Sequence, residues 1–234
     1  MLESFPSLII YFTKGNRLMS IETMRYNYVK NLFLENDPFI KVINQAIEEN
    51  AIPNISVNPV AGKLLTMLVI LSKAKKVLEI GALAGYSGVC LTKALLKDAE
   101  FTSLEMNERY AEIAQRHVRE AGFSGKLRYL VGPAPESLEK LGHAKEQYDF
   151  IFIDADKENY PLYLKKSIIL AHTGTIITAD NALWKNLIFD QNDQSSGTKS
   201  VREFNDILAK HPKLESLILP FGDGLAMAIV RDGN

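Results

Sequence analysis

The sequence predicts an α/β fold: a parallel sheet covered by helices on both faces and finished by an antiparallel hairpin. Three observations predict it. From residue 77 onward, short apolar runs alternate with helical patterns, the order of a parallel sheet with crossover helices. The run from Tyr148 to Ile153 is apolar except at Asp149, as a strand buried on both faces should be. Two final apolar runs, at 214–219 and 226–230, flank Pro220-Phe221-Gly222-Asp223-Gly224, which reads as a hairpin turn.

Residues 20–50 carry a helical pattern, with Tyr28, Leu32, Ile40, Ile43 and Ile47 at apolar positions and a break at Pro38. Pro53, Asn54, Asn58 and Pro59 mark a loop, after which Val60, Leu64, Leu65, Leu68, Val69 and Leu71 recur at helical spacing. The first strand, 77–80, ends at a glycine and leads to a helix at 87–97. Strands at 101–106 and 127–131 are followed by helices at 107–121 and around 137–141. The fourth strand is followed by a helix at 160–171 and a fifth strand at 175–178. The polar stretch 190–199 is expected to be a mobile loop on the edge where ligands bind in such sheets. This organisation predicts one domain: a helical arm at 1–50 belonging to it, and the main body at 51–234.

The chain has 234 residues, 27 basic and 28 acidic, so its formal charge of −1 argues against a nucleic-acid partner. Cys90 is the only cysteine, which excludes a disulfide scaffold and, with no secretory signal, points to the cytoplasm. The apolar start (Phe5, Leu8, Ile9, Ile10, Tyr11, Phe12) follows Glu3, contains Pro6 and stops at Lys14 and Arg17. That is short of the ~20 residues a membrane span needs. It reads as an arm packing on the domain or on a second subunit. His117, His143, His172 and His211 are scattered, and Cys90 reads as a small packed residue.

Gly81-Ala82-Leu83-Ala84-Gly85-Tyr86-Ser87-Gly88 joins a strand to a helix. No Gly-Lys-Ser/Thr follows, so it is not a P-loop, and the spacing fits neither a nucleophile elbow nor the dinucleotide fingerprint. Glu105 ends the second strand, 24 residues after Gly81, where an acid can hold ribose hydroxyls. The pair favours a nucleoside cofactor without a pyrophosphate on the turn, such as S-adenosylmethionine (SAM). An NAD-dependent oxidoreductase is the alternative. At the ends of the fourth and fifth strands stand Asp154-Ala155-Asp156-Lys157 and Asp180-Asn181. Neighbouring strands would join Asp154, Asp180 and Asn181 into an all-oxygen set suited to a hard cation, Mg²⁺ before Ca²⁺ or Mn²⁺. Lys157 could reach a ligand there. The plainer alternative is a helix cap with a surface ion pair.

At these residues the sequence resembles the cation-dependent O-methyltransferases of the caffeoyl-CoA and catechol type, over about residues 28–232. The segments are Glu-Ile-Gly-x-x-x-Gly-Tyr-Ser at 79–87, Gly-Pro-Ala at 132–134, Asp-Ala-Asp-Lys-x-Asn-Tyr at 154–160, Asp-Asn-x-Leu-Trp at 180–184 and Leu-Pro-x-Gly-Asp-Gly at 219–224. The resemblance implies a Rossmann-like class I methyltransferase fold with a seven-stranded mixed sheet, a homodimer, SAM and a divalent cation. It implies metal ligands Asp154, Asp180 and Asn181, and cofactor contacts at Val57, Glu79, Gly81, Ala82, Ser87, Glu105, Ala134, Asp154 and Asp156. It makes Lys157 catalytic, with Asp154 beside it, and places Trp184 beside a small aromatic diol. This chain has Glu105 where the family commonly has Asp, Ala84 in place of a frequent Thr, and a shorter loop after Trp184. The implied reaction is direct methyl transfer to a metal-held phenolic oxygen. A SAM-binding protein without catalysis is a further alternative. A nucleic-acid methyltransferase would carry an Asn/Asp-Pro-Pro-Tyr/Phe signature where Asp154-Ala155-Asp156-Lys157 stands.

Overall fold

The β-branched and aromatic runs pair into one seven-stranded sheet. In chain order its strands are β1 (Lys76–Ile80), β2 (Glu100–Glu105), β3 (Lys126–Val131), β4 (Tyr148–Ile153), β5 (Ala171–Ala179), β6 (Leu214–Leu219) and β7 (Leu225–Val230). A computed structural model describes residues 12–13, 18–34 and 38–232. The sheet order is β3-β2-β1-β4-β5-β7-β6, parallel through the first five and antiparallel at β7 and β6. This is the mixed sheet with a terminal hairpin that the sequence predicts.

The helices are α1 (Ile21–Leu34), α2 (Pro38–Glu49), α3 (Pro59–Ser72), α4 (Tyr86–Thr92), α5 (Glu108–Glu120), α6 (Ala134–His143), α7 (Tyr160–Ile169) and α8 (Ser196–Lys210). The chain divides into two compact units, up to Pro38 and from Phe39. The first holds α1 and a two-residue antiparallel pairing of Phe12–Thr13 with Leu18–Met19. Apart from Phe12, the apolar start read as a packing arm lies outside the described residues.

The second unit has a core on each face of the sheet, because alternate strand residues point opposite ways. Val77, Phe101, Phe150 and Phe152 pack with α2 to α5, among them Ile43, Ile47, Leu65 and Val89. Leu78, Ile80, Ile151 and Ile153 pack with α6 to α8, among them Leu138, Leu164, Val201 and Phe204. Pro38 does not merely interrupt a helix; it begins α2, where its fixed φ and missing N–H cost nothing. Asn58 caps α3 by accepting from Ala61 N–H at 2.9 Å, and Asn107 does the same for α5. Asp149, the one polar residue of β4, accepts from Lys75 and Lys76 N–H, both at 2.8 Å, and pairs with His172 Nε2. It therefore fastens the entry of β1 to β4 and β5. Among the described residues no helix is long and apolar enough to cross a membrane.

Three elements differ from expectation. α4 ends at Thr92, five residues early, and its chain continues through turns closed by Ala94 N–H to Leu91 O and Leu95 N–H to Thr92 O. β5 begins at Ala171, four residues before the predicted strand. The stretch expected to be a mobile loop at 190–199 contains the first turn of α8. Its polar residues form the entry to that helix, since Asp193 accepts from Ser195 N–H and from Thr198 Oγ1.

Candidate active site

The carboxyl ends of four parallel strands are stitched in a row. Gly81 N–H donates to Leu104 O, Asp154 N–H to Ile80 O, and Asp180 N–H to Ile153 O, at 2.8 to 3.0 Å. Strand order reverses between β1 and β4, and the crevice at such a switch point is where open α/β sheets bind ligands.

On the β2 side of that crevice lies the glycine turn. Gly81 sits at φ +96°, and a Cβ built there would meet the Asp154 carbonyl oxygen at 2.1 Å. Gly85, also left-handed, lets the turn press on α5, where a Cβ would fall 2.7 Å from Ala114 Cα. His117 Nδ1 lies 2.7 Å from the Ala84 carbonyl, so this buried histidine, assigned nothing from sequence, ties the turn to α5. Glu105 accepts from Ala82 and Leu83 N–H through Oε2 and from Asn107 N–H through Oε1. The acid at the end of β2 therefore orders the backbone of the turn.

Glu79 is fully buried and accepts from Ser87 Oγ and Ser103 Oγ, both at 2.6 Å. Ser103 was missed in the sequence, although it stands opposite Glu79 in the β1–β2 register. Burial pushes the Glu79 carboxyl up to about 7, the two serines pulling it down and Asp154 and Glu105 raising it further. Between the usual carboxyl range and pH 7 the folded state thus holds a proton that the unfolded chain has lost. Stability from this group is complete below about pH 4.3 and disappears as pH rises through 7. Relative to Glu79→Gln, the wild type is expected to lose about 3 kcal/mol between pH 5 and 8. Urea titrations of both proteins at the two pH values measure it, and a constant difference between them would count against a protonated buried acid.

On the β5 side, Asp154 and Asp180 face each other at adjacent strand ends. Burial, then Asp154, and then Asp223 from the β6–β7 turn push Asp180 up to about 7, while Asn181 N–H and Lys157 oppose them. Asp154 is raised by burial, with Lys157 opposing and Asp223 adding to the rise. Asn181, left-handed at φ 58°, follows directly and donates its N–H to Asp180 Oδ1 at 2.9 Å. Two adjacent carboxylates, Asp180 buried and Asp154 partly buried, and a neighbouring amide are a donor set whose repulsion a hard divalent cation would relieve, so these residues fit one. Among the described residues no cluster of three His, Cys, Asp or Glu is arranged for a metal, and the third donor here is the Asn181 amide.

Lys157 is only 7% exposed, which removes the surface-ion-pair alternative. Its Nζ donates to Asp154 Oδ1 at 3.1 Å, Ala155 O at 3.0 Å and Tyr160 Oη at 2.5 Å. Tyr160 in turn donates to Asp180 O at 3.0 Å. Trp184 lies beside this amine, with Nζ 5.9 Å from its ring centre. The hairpin turn closes the wall: Leu183 and Ala182 N–H donate to Asp223 O and Gly224 O, and Lys185 N–H to Asp223 Oδ1.

Three further expected contacts stand on separate elements. Val57 is buried in the loop before α3, next to Asn58, which closely approaches Gly222 of the hairpin turn. Ala134 opens α6. Asp156 is exposed, and its carboxylate is held by Tyr163 Oη at 2.5 Å and Asn159 Nδ2 at 2.6 Å.

With this geometry in view, a sequence profile described as O-methyltransferase matches residues 31–231. The chain belongs to the O-methyltransferase family. A catechol O-methyltransferase from Niastella koreensis is 33% identical over 88% of this chain and 96% of its own. A caffeoyl-CoA O-methyltransferase from Petunia hybrida is 36% identical over 71% of this chain and 72% of its own. An O-methyltransferase from Bacillus cereus, solved in complex with S-adenosylhomocysteine (SAH), superposes with a TM-score of 0.82. It is 31% identical, covering 88% of this chain and 96% of that one. The enzyme is a SAM-dependent O-methyltransferase of the caffeoyl-CoA and catechol group with a class I methyltransferase fold. The NAD alternative and the non-catalytic one are thereby set aside. The glycine turn fits SAM, since Gly81 leaves no side chain between β1 and the crevice and Glu105 ends the neighbouring strand.

Proposed function

We propose that this enzyme methylates one hydroxyl of a catechol-type acceptor, a vicinal dihydroxy aromatic, with a divalent cation held by Asp154, Asp180 and Asn181. Mg²⁺ is the favoured ion because all three donors are oxygens. The observation that carries this reading is the placement of one buried and one partly buried carboxylate, Asp180 and Asp154, and an amide at the ends of β4 and β5, beside a buried amine. The names of the Niastella and Petunia relatives support the acceptor class.

When bound, such a cation lowers the pKa of a coordinated phenol, and the sulfonium of SAM supplies a methyl group ready for displacement. The chain does the rest. Lys157 Nζ, held by the Ala155 carbonyl and the Tyr160 hydroxyl, takes the phenolic proton as a neutral amine, after giving one of its own protons to solvent. Trp184 offers an aromatic face to the acceptor ring. The Gly81 turn and Glu105 hold the nucleoside, so donor and acceptor meet at a fixed separation. That fixing is worth up to ~7–11 kcal/mol of the barrier.

Methyl transfer to catechol, with and without EDTA, tests the reading in the wild type and in Asp154→Ala. Both chelation and substitution are expected to lower turnover by roughly 10²–10³-fold, the loss of several kcal/mol of charge stabilisation. Activity that survives both would rule out the cation.

We further propose a homodimer. Met67, Ile70 and Leu71 recur at helical spacing on α3 and are 49%, 59% and 72% exposed, an apolar stripe that a second copy would cover. Sedimentation velocity at micromolar concentration should show a dimer that Leu71→Glu dissociates. A wild-type monomer would overturn the proposal.

A further inference from the structure

The turn that carries Trp184 is unusual backbone. Trp184, Lys185 and Asn186 all have positive φ, at 47°, 52° and 64°, and none is glycine. Such residues persist only where their surroundings determine them. The short helix Trp184–Phe189 buries none of its residues, and the six residues after it are polar. Packing holds this segment only through Trp184 and Ile188, which lie partly buried against the core. Its backbone carbonyls do more.

Four of those carbonyls converge on one side chain. Arg202 of α8 donates from Nε to Ile188 O at 3.0 Å, from Nη1 to Asp193 O at 2.9 Å and from Nη2 to Leu187 O at 3.2 Å. Nη2 also donates to Asp190 O. The planar guanidinium presents its donors in a fixed fork, a geometry that a lysine cannot reproduce. Two further residues on the same face of α8 continue the contact. Thr198 Oγ1 donates to Asp193 Oδ2 at 2.8 Å, and Asn205 Nδ2 to Ala182 O at 2.8 Å. The Trp184 indole lies against the first turn of α8, with Cζ2 3.4 Å from where a Gly197 Cβ would stand. One helix face thus grips the segment from 182 to 193 at both ends.

We propose that Arg202 is a positioning residue for methyl transfer: by gathering four backbone carbonyls it fixes the turn bearing Trp184, and so sets which acceptor hydroxyl is presented. The inference rests on the acceptor reading given above and extends it to a residue outside the crevice. Arg202 touches neither the carboxylates nor the glycine turn, so its influence falls on the acceptor and not on SAM. An ångström of misplacement in such a site can cost 10²-fold.

Trp184 is the only tryptophan in the chain, so its fluorescence reports on this turn alone. The experiment compares wild type, Arg202→Ala and Arg202→Lys in four measurements: emission maximum, acrylamide quenching, SAH affinity by calorimetry, and kinetics with product regiochemistry on 3,4-dihydroxybenzoate, a catechol whose two hydroxyls are inequivalent. Arg202→Ala is expected to red-shift the emission and raise the quenching constant. It is expected to lower acceptor kcat/KM by roughly 10–100-fold and move the two monomethyl products toward equal amounts, with SAH affinity unchanged. Arg202→Lys, which keeps the charge and loses the fork, should fall between the two and serves alone if the alanine variant does not fold. Unchanged emission and quenching would overturn the clamp. A change in emission with unaltered acceptor kinetics and regiochemistry, or a loss of SAH affinity matching the loss of acceptor affinity, would overturn the positioning role. Should wild-type protein methylate no catechol, the acceptor reading fails, while the fluorescence measurements still decide the clamp.

Discussion

Lys157→Met is expected to lower kcat for catechol methylation by roughly 10²–10⁴-fold, the range for losing a positioned general base. The side chain is buried, and its Nζ is fixed by three oxygens from Asp154, Ala155 and Tyr160. Methionine keeps the length and removes the amine. It also leaves Asp154 without its cationic partner, and breaking a pair this buried costs about 3–5 kcal/mol. Loss of activity alone would therefore not separate chemistry from folding. Lys157→Arg separates them: the guanidinium keeps the charge opposite Asp154 but cannot release its proton near neutral pH. The arginine variant should recover more stability than activity, read by urea denaturation and by initial rates with SAH affinity as control. If it recovers both together, Lys157 serves as a counter-charge and not as a base.

Gly81→Ala should abolish SAH binding and cost about 2–5 kcal/mol of stability. Two costs combine. A Cβ at φ +96° meets the strain of left-handed backbone, about 1–2 kcal/mol. It also falls 2.1 Å from the Asp154 carbonyl oxygen and 2.9 Å from its carbon, both backbone atoms that cannot swing aside. Overpacking of this kind adds roughly 1–3 kcal/mol. Relief requires β1 and β4 to part where they carry the cofactor turn and Asp154, so binding is lost with stability. Gly142→Ala is the control: nothing lies within 4 Å of its added Cβ, and the position is helical. It should stabilise by up to about 1 kcal/mol. Equal midpoints for wild type and Gly81→Ala would mean the strand ends yield freely.

Much of the fold is written in local pattern. The two-sided burial of Phe150 to Ile153, the glycine after Ile80 and the turn at 220–224 each signal an element by themselves. The α8 helix is not among the elements read from the sequence, although Val201, Phe204 and Leu208 stand at helical spacing, because its polar entry reads as loop; there Asp193 accepts from Ser195 N–H and Thr198 Oγ1. The end of α4 was not legible, because Leu95 and Leu96 extend the apolar pattern past the residue where the helix stops.

In the candidate site the division follows sequence distance. Asp154, Asp180 and Asn181 were nameable because each directly follows a strand, with Lys157 a few residues beyond, and parallel neighbours bring strand ends together. Ser103 under Glu79, His117 on the Ala84 carbonyl and Arg202 on the turn of Trp184 carry no such mark. Each is an ordinary polar residue in a strand or helix until packing decides what lies opposite it.

The sequence by itself determined the order of the strands and of most helices, and that Asp154, Asp180 and Asn181 stand at neighbouring strand ends. Those properties follow from side-chain periodicity and from backbone signals spanning a few residues. Only the tertiary structure decided that Lys157 is buried, that Asp180 is pushed up to about 7, and that one arginine holds the turn of Trp184. Burial, desolvation and hydrogen-bond geometry depend on atoms brought together from distant parts of the chain, and no local pattern encodes the distance between them.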